Sequence, residues 1–133
     1  MPSESASILL VEDEPTLRDI TAFRLELLGY EVVQVDSAQA ARAQMDQDLP
    51  GLIILDIALD GGEGLELLDA LSNDPRTSHV PVLVFSSVAD LDDVQRSYAA
   101  GADDFLVTPY DPAVLEGKIE SLLSGKGAAT TLD

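Results

Sequence analysis

The sequence predicts an α/β fold, a doubly wound five-stranded parallel sheet in the order 2-1-3-4-5 with five helices. Three observations predict it. Short aliphatic, β-branched runs alternate five times with longer segments of helical spacing. The central run, Leu52-Ile53-Ile54-Leu55, has no polar alternation, the habit of a strand buried on both faces. The connections suit right-handed crossovers, which place helices on both sides of a parallel sheet.

In chain order, Ser7-Ile8-Leu9-Leu10-Val11 is the first buried strand and runs into Glu12-Asp13-Glu14. Pro15 suits the first turn of a helix, with Asp13 or Glu14 placed to cap it. Leu17, Ile20, Phe23 or Arg24, and Leu27 recur at helical spacing and predict its buried stripe, and Gly29 stops it. Glu31 to Asp36 is a second strand, and Ser37 caps an Ala-rich helix from Ala38 to about Gln47. The central strand ends on Asp56. A Gly-rich turn follows, then a helix with an apolar face of Leu65, Leu67, Leu68 and Leu71, closed by Asn73-Asp74-Pro75. Val80 to Phe85 is the fourth strand, with Pro81 near its start, where a missing donor is tolerated. Asp90 to about Ala100 is a more polar helix stopped by Gly101. Asp104 to Val107 is the last strand, and Asp111 caps a helix whose Val114, Leu115, Ile119, Leu122 and Leu123 face inward.

Composition narrows the function. One domain is expected over residues 1–124, with 125–133 a flexible tail or severed linker. Against 25 acidic residues stand 7 basic ones, a formal net charge of -18, which argues against binding nucleic acid or an anionic membrane. Cysteine is absent, so disulfides, thiol catalysis and zinc–thiolate sites are excluded. No apolar run approaches a membrane span and no leader is evident, so a soluble, cytoplasmic protein is expected.

In the 2-1-3-4-5 order, strands 1 and 3 flank the switch point where such sheets bind ligands. Glu12, Asp13 and Asp56 should therefore converge there. Crowded carboxylates repel one another unless a hard cation sits among them, and oxygen donors with room for water suit Mg²⁺. The plainer alternative is an acidic rim on helix N-termini, with Asp56 simply starting a turn.

Four segments resemble the receiver domain of bacterial two-component response regulators. They are Ile8-Leu9-Leu10-Val11-Glu12-Asp13-Glu14-Pro15, Leu52-Ile53-Ile54-Leu55-Asp56 with Gly61 and Gly64, Pro81 to Ser87, and Gly101 to Tyr110. The resemblance covers roughly residues 6–124 and implies a flavodoxin-like fold, with Asp56 taking a phosphoryl group from a sensor histidine kinase, a phosphotransfer protein or a small phosphodonor. It implies that Asp13 and Asp56 reach Mg²⁺ directly, that Glu12 acts through water, and that the Ala58 carbonyl supplies a further oxygen. Ser86 takes the position of a hydroxyl that bonds the phosphoryl group, with the small Ser87 beside it. Phe105 takes that of an aromatic switch, and equally reads as a core residue. The output implied is a repacked surface around helix 4, strand 5 and helix 5 that alters affinity for a downstream protein or effector domain. A homodimer through the last helix is compatible with the sequence. No enzyme with its own substrate is expected.

The chain departs from the family pattern in two places. Thr108 stands where a Lys precedes Pro109, and the lysines present, Lys118 and Lys126, lie on the last helix and the tail. With Mg²⁺, three carboxylates sum to about -1, and to about -2 once Asp56 is an acyl phosphate, one unit more negative than a site with Lys. Phosphorylation should then be slower, weaker or more Mg²⁺-dependent. Asp60 stands where Pro is common and adds negative charge near the crevice. These departures leave a second reading, a degenerate receiver used as a constitutive docking module. Thr108-Pro109 is a candidate cis peptide by the same resemblance. Gly61-Gly62-Glu63-Gly64 lacks dinucleotide-site spacing, Ala58 replaces the second acid an aspartyl phosphatase needs, and His79 has no evident nucleophile partner.

Overall fold

The computed structural model describes residues 6–87 and 91–125, with residues 60 and 61 described in their backbone alone. The readings for the Asp60 charge, for Asp90 as a helix start and for the tail from 126 on lie outside the described residues.

The elements follow the predicted alternation: β1 (Ser7–Val11), α1 (Pro15–Leu27), β2 (Glu31–Val35), α2 (Ala38–Gln47), β3 (Leu52–Asp56), a 3₁₀ turn (Leu59–Gly62), α3 (Glu63–Asn73), β4 (Val82–Ser86), α4 (Leu91–Ala100), β5 (Asp104–Val107) and α5 (Pro112–Ser124). The sheet is parallel throughout in the order β2-β1-β3-β4-β5.

Local chemistry sets the ends of the helices. The Glu14 carboxylate accepts from the Leu17 N–H at 2.8 Å and opens α1 ahead of Pro15. Gly29 ends it at φ 99°, a conformation costly for any residue with a Cβ. Ser37 accepts from Ala40 N–H at 3.0 Å to open α2, and Asp111 from Ala113 N–H at 2.8 Å to open α5. β4 begins two residues later than the apolar run predicts. The Val82 N–H at its start is taken by the Asp103 carboxylate at 2.8 Å.

Strand alternation divides the interior into two cores. Leu9, Val11, Ile53, Leu55, Val82 and Val84 meet α2 and α3 on one face. Ile8, Leu10, Ile54, Leu83 and Phe85 meet α1 and α5 on the other.

On α1 the buried stripe is the predicted one only at Leu17, which is half-buried against the core. Thr21, Ala22 and Leu25 are buried. Ile20, Phe23 and Leu27 are 47%, 61% and 70% exposed. Ala22 and Leu25 join the core with Ile8 and Leu10, and Ile20, Phe23 and Leu27 stay on the outer side. Val114 on α5 also faces outward, while Leu115 and Ile119 are buried.

Candidate functional site

Register carries the predicted residues to one edge. Val11 lies beside Leu55, so Glu12 and Asp56 leave neighbouring strands at the same level. Asp56 lies beside Phe85, and Ser86 beside Val107. The Thr108 N–H then donates to the Ser86 carbonyl at 2.7 Å, tying the end of β5 to β4 just before a cis Thr108–Pro109 bond.

Carboxylate oxygens of Glu12, Asp13 and Asp56 lie within 4.8 Å of one another. Their burial is graded: Glu12 is buried, Asp56 half-buried and Asp13 exposed. Glu12 Oε2 accepts from the Glu14 N–H at 3.1 Å. Its Oε1 is fully buried with no hydrogen-bond partner among the described residues. Burial, and then the adjoining Asp56 carboxylate, push the Glu12 carboxyl from 4.5 up to about 8. A carboxylate with one buried oxygen lacking a donor, clustered with two more carboxylates, fits a hard cation carrying its own water shell, since either ion or water satisfies what the protein does not.

The loop under Asp56 is tightly seated. Asp56 Oδ1 accepts from the Ala58 N–H at 2.9 Å. A Cβ on Gly64 would lie 2.6 Å from the backbone oxygens of both Asp56 and Ile57, so glycine there lets α3 abut the strand end directly. Ser86 and Thr108 are 4% and 8% exposed, and Phe105 is half-buried against the α2–α3 core.

The model of the response regulator receiver domain matches residues 8–120. The chain belongs to that family. This receiver domain is 32% identical over 121 residues to the phosphate regulon transcriptional regulatory protein PhoB of Pseudomonas aeruginosa, covering 91% of this chain and 53% of the relative. It thus spans about half the length of the curated relatives it matches. Among solved structures, the signal receiver domain of a histidine kinase from Syntrophus aciditrophicus superposes with a TM-score of 0.84 at 34% identity, covering 91% of this chain and 92% of that one. A response regulator receiver domain protein from Methanospirillum hungatei superposes at 0.85 with 28% identity, covering 95% and 99%.

Sequence reasoning missed the contacts made by three side chains, Tyr110, Arg18 and Lys118. Tyr110 Oη lies 2.8 Å from the Oγ1 of buried Thr21, and its ring packs on Phe85 with centroids 5.5 Å apart. Arg18 Nη1 donates to the Glu12 carbonyl at 3.0 Å. Lys118 pairs with Asp104 at 2.9 Å, at the end of β5 remote from Thr108. An Arg one turn into a helix that follows an acidic strand end was a usable signal for the second. The Thr21 contact spans 89 residues and left no local trace. His79 is exposed in the turn before β4. Among the described residues, no helix is long and apolar enough to cross a membrane.

Proposed function

We propose that Asp56 is a Mg²⁺-dependent phosphoacceptor. The observation supporting it is the convergence of three carboxylates within 4.8 Å, one of them with a buried, unpartnered oxygen. In this reading a carboxylate oxygen of Asp56 attacks phosphorus, the new O–P bond forming as the bond to the leaving group breaks. From acetyl phosphate, acetate departs with the electron pair and no proton is needed.

Asp13 and Asp56 would hold Mg²⁺ directly, with the Ala58 carbonyl, and Glu12 through water. When bound, the ion neutralises charge on the transferring group. The Ser86 hydroxyl would donate to a phosphoryl oxygen, Thr108 would add at most a neutral hydrogen bond, and Phe105 would repack as Ser86 moves. The module spans residues 1–124, and 125–133 serve as tail or linker. The donor is a sensor histidine kinase or phosphotransfer protein. The recipient is a downstream protein or an effector domain, or a second copy of the domain. This exchange takes place in the cytoplasm, in a signalling module rather than an enzyme.

The uncharged Thr108 favours a second reading, a pseudo-receiver that docks without being phosphorylated. Intact-mass measurement after acetyl phosphate and Mg²⁺ separates the two. The first expects one added phosphoryl group, absent in Asp56→Asn and without Mg²⁺; no added mass supports the second.

A further inference from the structure

Phosphorylating Asp56 makes its site more negative by one unit, to about -2 with Mg²⁺ bound, and residue 108 supplies only a hydroxyl. Seven basic residues are available to offset that charge. Arg76, Arg96 and Lys118 are paired with Asp46, Asp93 and Asp104. Arg42 lines a cleft of about 260 Å³ between α2 and α3 together with Asp46. Arg24 lies in the last turn of α1 beside the exposed Phe23 and Leu27. Lys126 is outside the described residues. Arg18 remains, in the first turns of α1, its Nη1 3.0 Å from the carbonyl of Glu12, one of the three clustered acids.

We propose that Arg18 is the cation that neutralises the phosphoryl group on Asp56. The assignment rests on the phosphoacceptor reading above. The contact with Glu12 engages one of five guanidinium donor hydrogens. A long side chain anchored at that carbonyl can pivot its remaining donors toward phosphoryl oxygens. Guanidinium matches them in geometry as well as in charge. It takes no proton and no electrons: the O–P bond to Asp56 forms, the bond to the departing acetate breaks, and Arg18 stays protonated throughout.

The test is a cycle of Arg18→Gln and Thr108→Lys, singly and together, with Asp56→Asn as control. The readout is acyl-phosphate yield by intact mass after acetyl phosphate and Mg²⁺, on variants shown to be folded by circular dichroism. Arg18→Gln is expected to lower the yield about tenfold, the scale of one charged hydrogen bond. In the Thr108→Lys background the loss should shrink below about twofold, because the lysine then supplies the charge. Arg18→Lys, which keeps the charge and loses the planar fork, should lose less yield than Arg18→Gln, and a loss as large as that of Arg18→Gln would count against a charge role. No loss in Arg18→Gln, or an equal loss in both backgrounds, would overturn the assignment and leave Arg18 a structural tie. If the parent protein gains no Asp56-dependent phosphoryl group, the phosphoacceptor reading fails and the role of Arg18 fails with it.

Discussion

Binding Mg²⁺ to this site should release a proton. Glu12 titrates near 8, first because it is buried and then because the Asp56 carboxylate adjoins it. At pH 7 a group with that pKa is protonated in about ten molecules for each one ionised. The proton belongs to the Glu12–Asp56 pair rather than to either carboxylate alone. A divalent cation needs the ionised form, so its apparent affinity should rise about ninefold from pH 6 to 7 and about tenfold from pH 7 to 9, levelling above the pKa. Calorimetry in buffers of different ionisation enthalpy should count close to one proton released per ion bound at pH 7. Without the metal the same linkage acts on stability. The folded pKa lies above the usual 4.5, so the stabilisation is complete below about 4.5 and lost as pH rises through about 8. Between pH 6 and 8.5 the loss is on the order of 2–3 kcal/mol, and Mg²⁺ should restore it. Glu12→Gln should flatten both pH profiles. An affinity for Mg²⁺ that stays constant from pH 6 to 8, with no proton released, would refute the reasoning.

Thr108→Lys is expected to raise the yield or lifetime of phosphorylated Asp56 when Arg18 is replaced by Gln and to change it little while Arg18 is present, read by gel mobility or mass over time; an equal gain in both backgrounds would mean that Arg18 does not carry the charge. Tyr110→Phe removes the hydroxyl 2.8 Å from buried Thr21 and should cost roughly 1–3 kcal/mol, seen as a melting temperature lowered by several degrees. Adding Thr21→Val should recover part of that loss, and no recovery would place the cost elsewhere. Gly64→Ala sets a methyl 2.6 Å from the Asp56 and Ile57 carbonyls and should destabilise the domain by about 1–3 kcal/mol while weakening Mg²⁺ binding, measured by melting and calorimetry. A wild-type melting temperature in that variant would show that the loop yields easily.

The sheet was legible because its signals are local. Five apolar runs, each ended by a polar or turn residue, fixed the strands to within a residue or two, and the alternation of strand and helix carried the topology. The convergence of Glu12, Asp13 and Asp56 followed from strand order alone. The buried face of α1 was legible only at Leu17, because further along the helix hydropathy misleads: Thr21 is fully buried and Phe23 largely exposed. What decides that face is the approach of Tyr110 and the sheet, both distant in sequence. The same limit hid the burial of Glu12. Sequence places a carboxylate at a strand end, but only the packed neighbours decide whether it meets water, and hence where it titrates.

β5 is short and lies at the border of the sheet, yet it is held at both ends. Lys118 holds Asp104 at one end, and the Ser86 carbonyl holds Thr108 at the other. A four-residue strand paired on one side with β4 depends on these end ties as well as on its ladder. If Ser86 moves on phosphorylation as proposed above, the end of β5 is the first neighbour to feel it, through the bond from the Thr108 N–H to the Ser86 carbonyl.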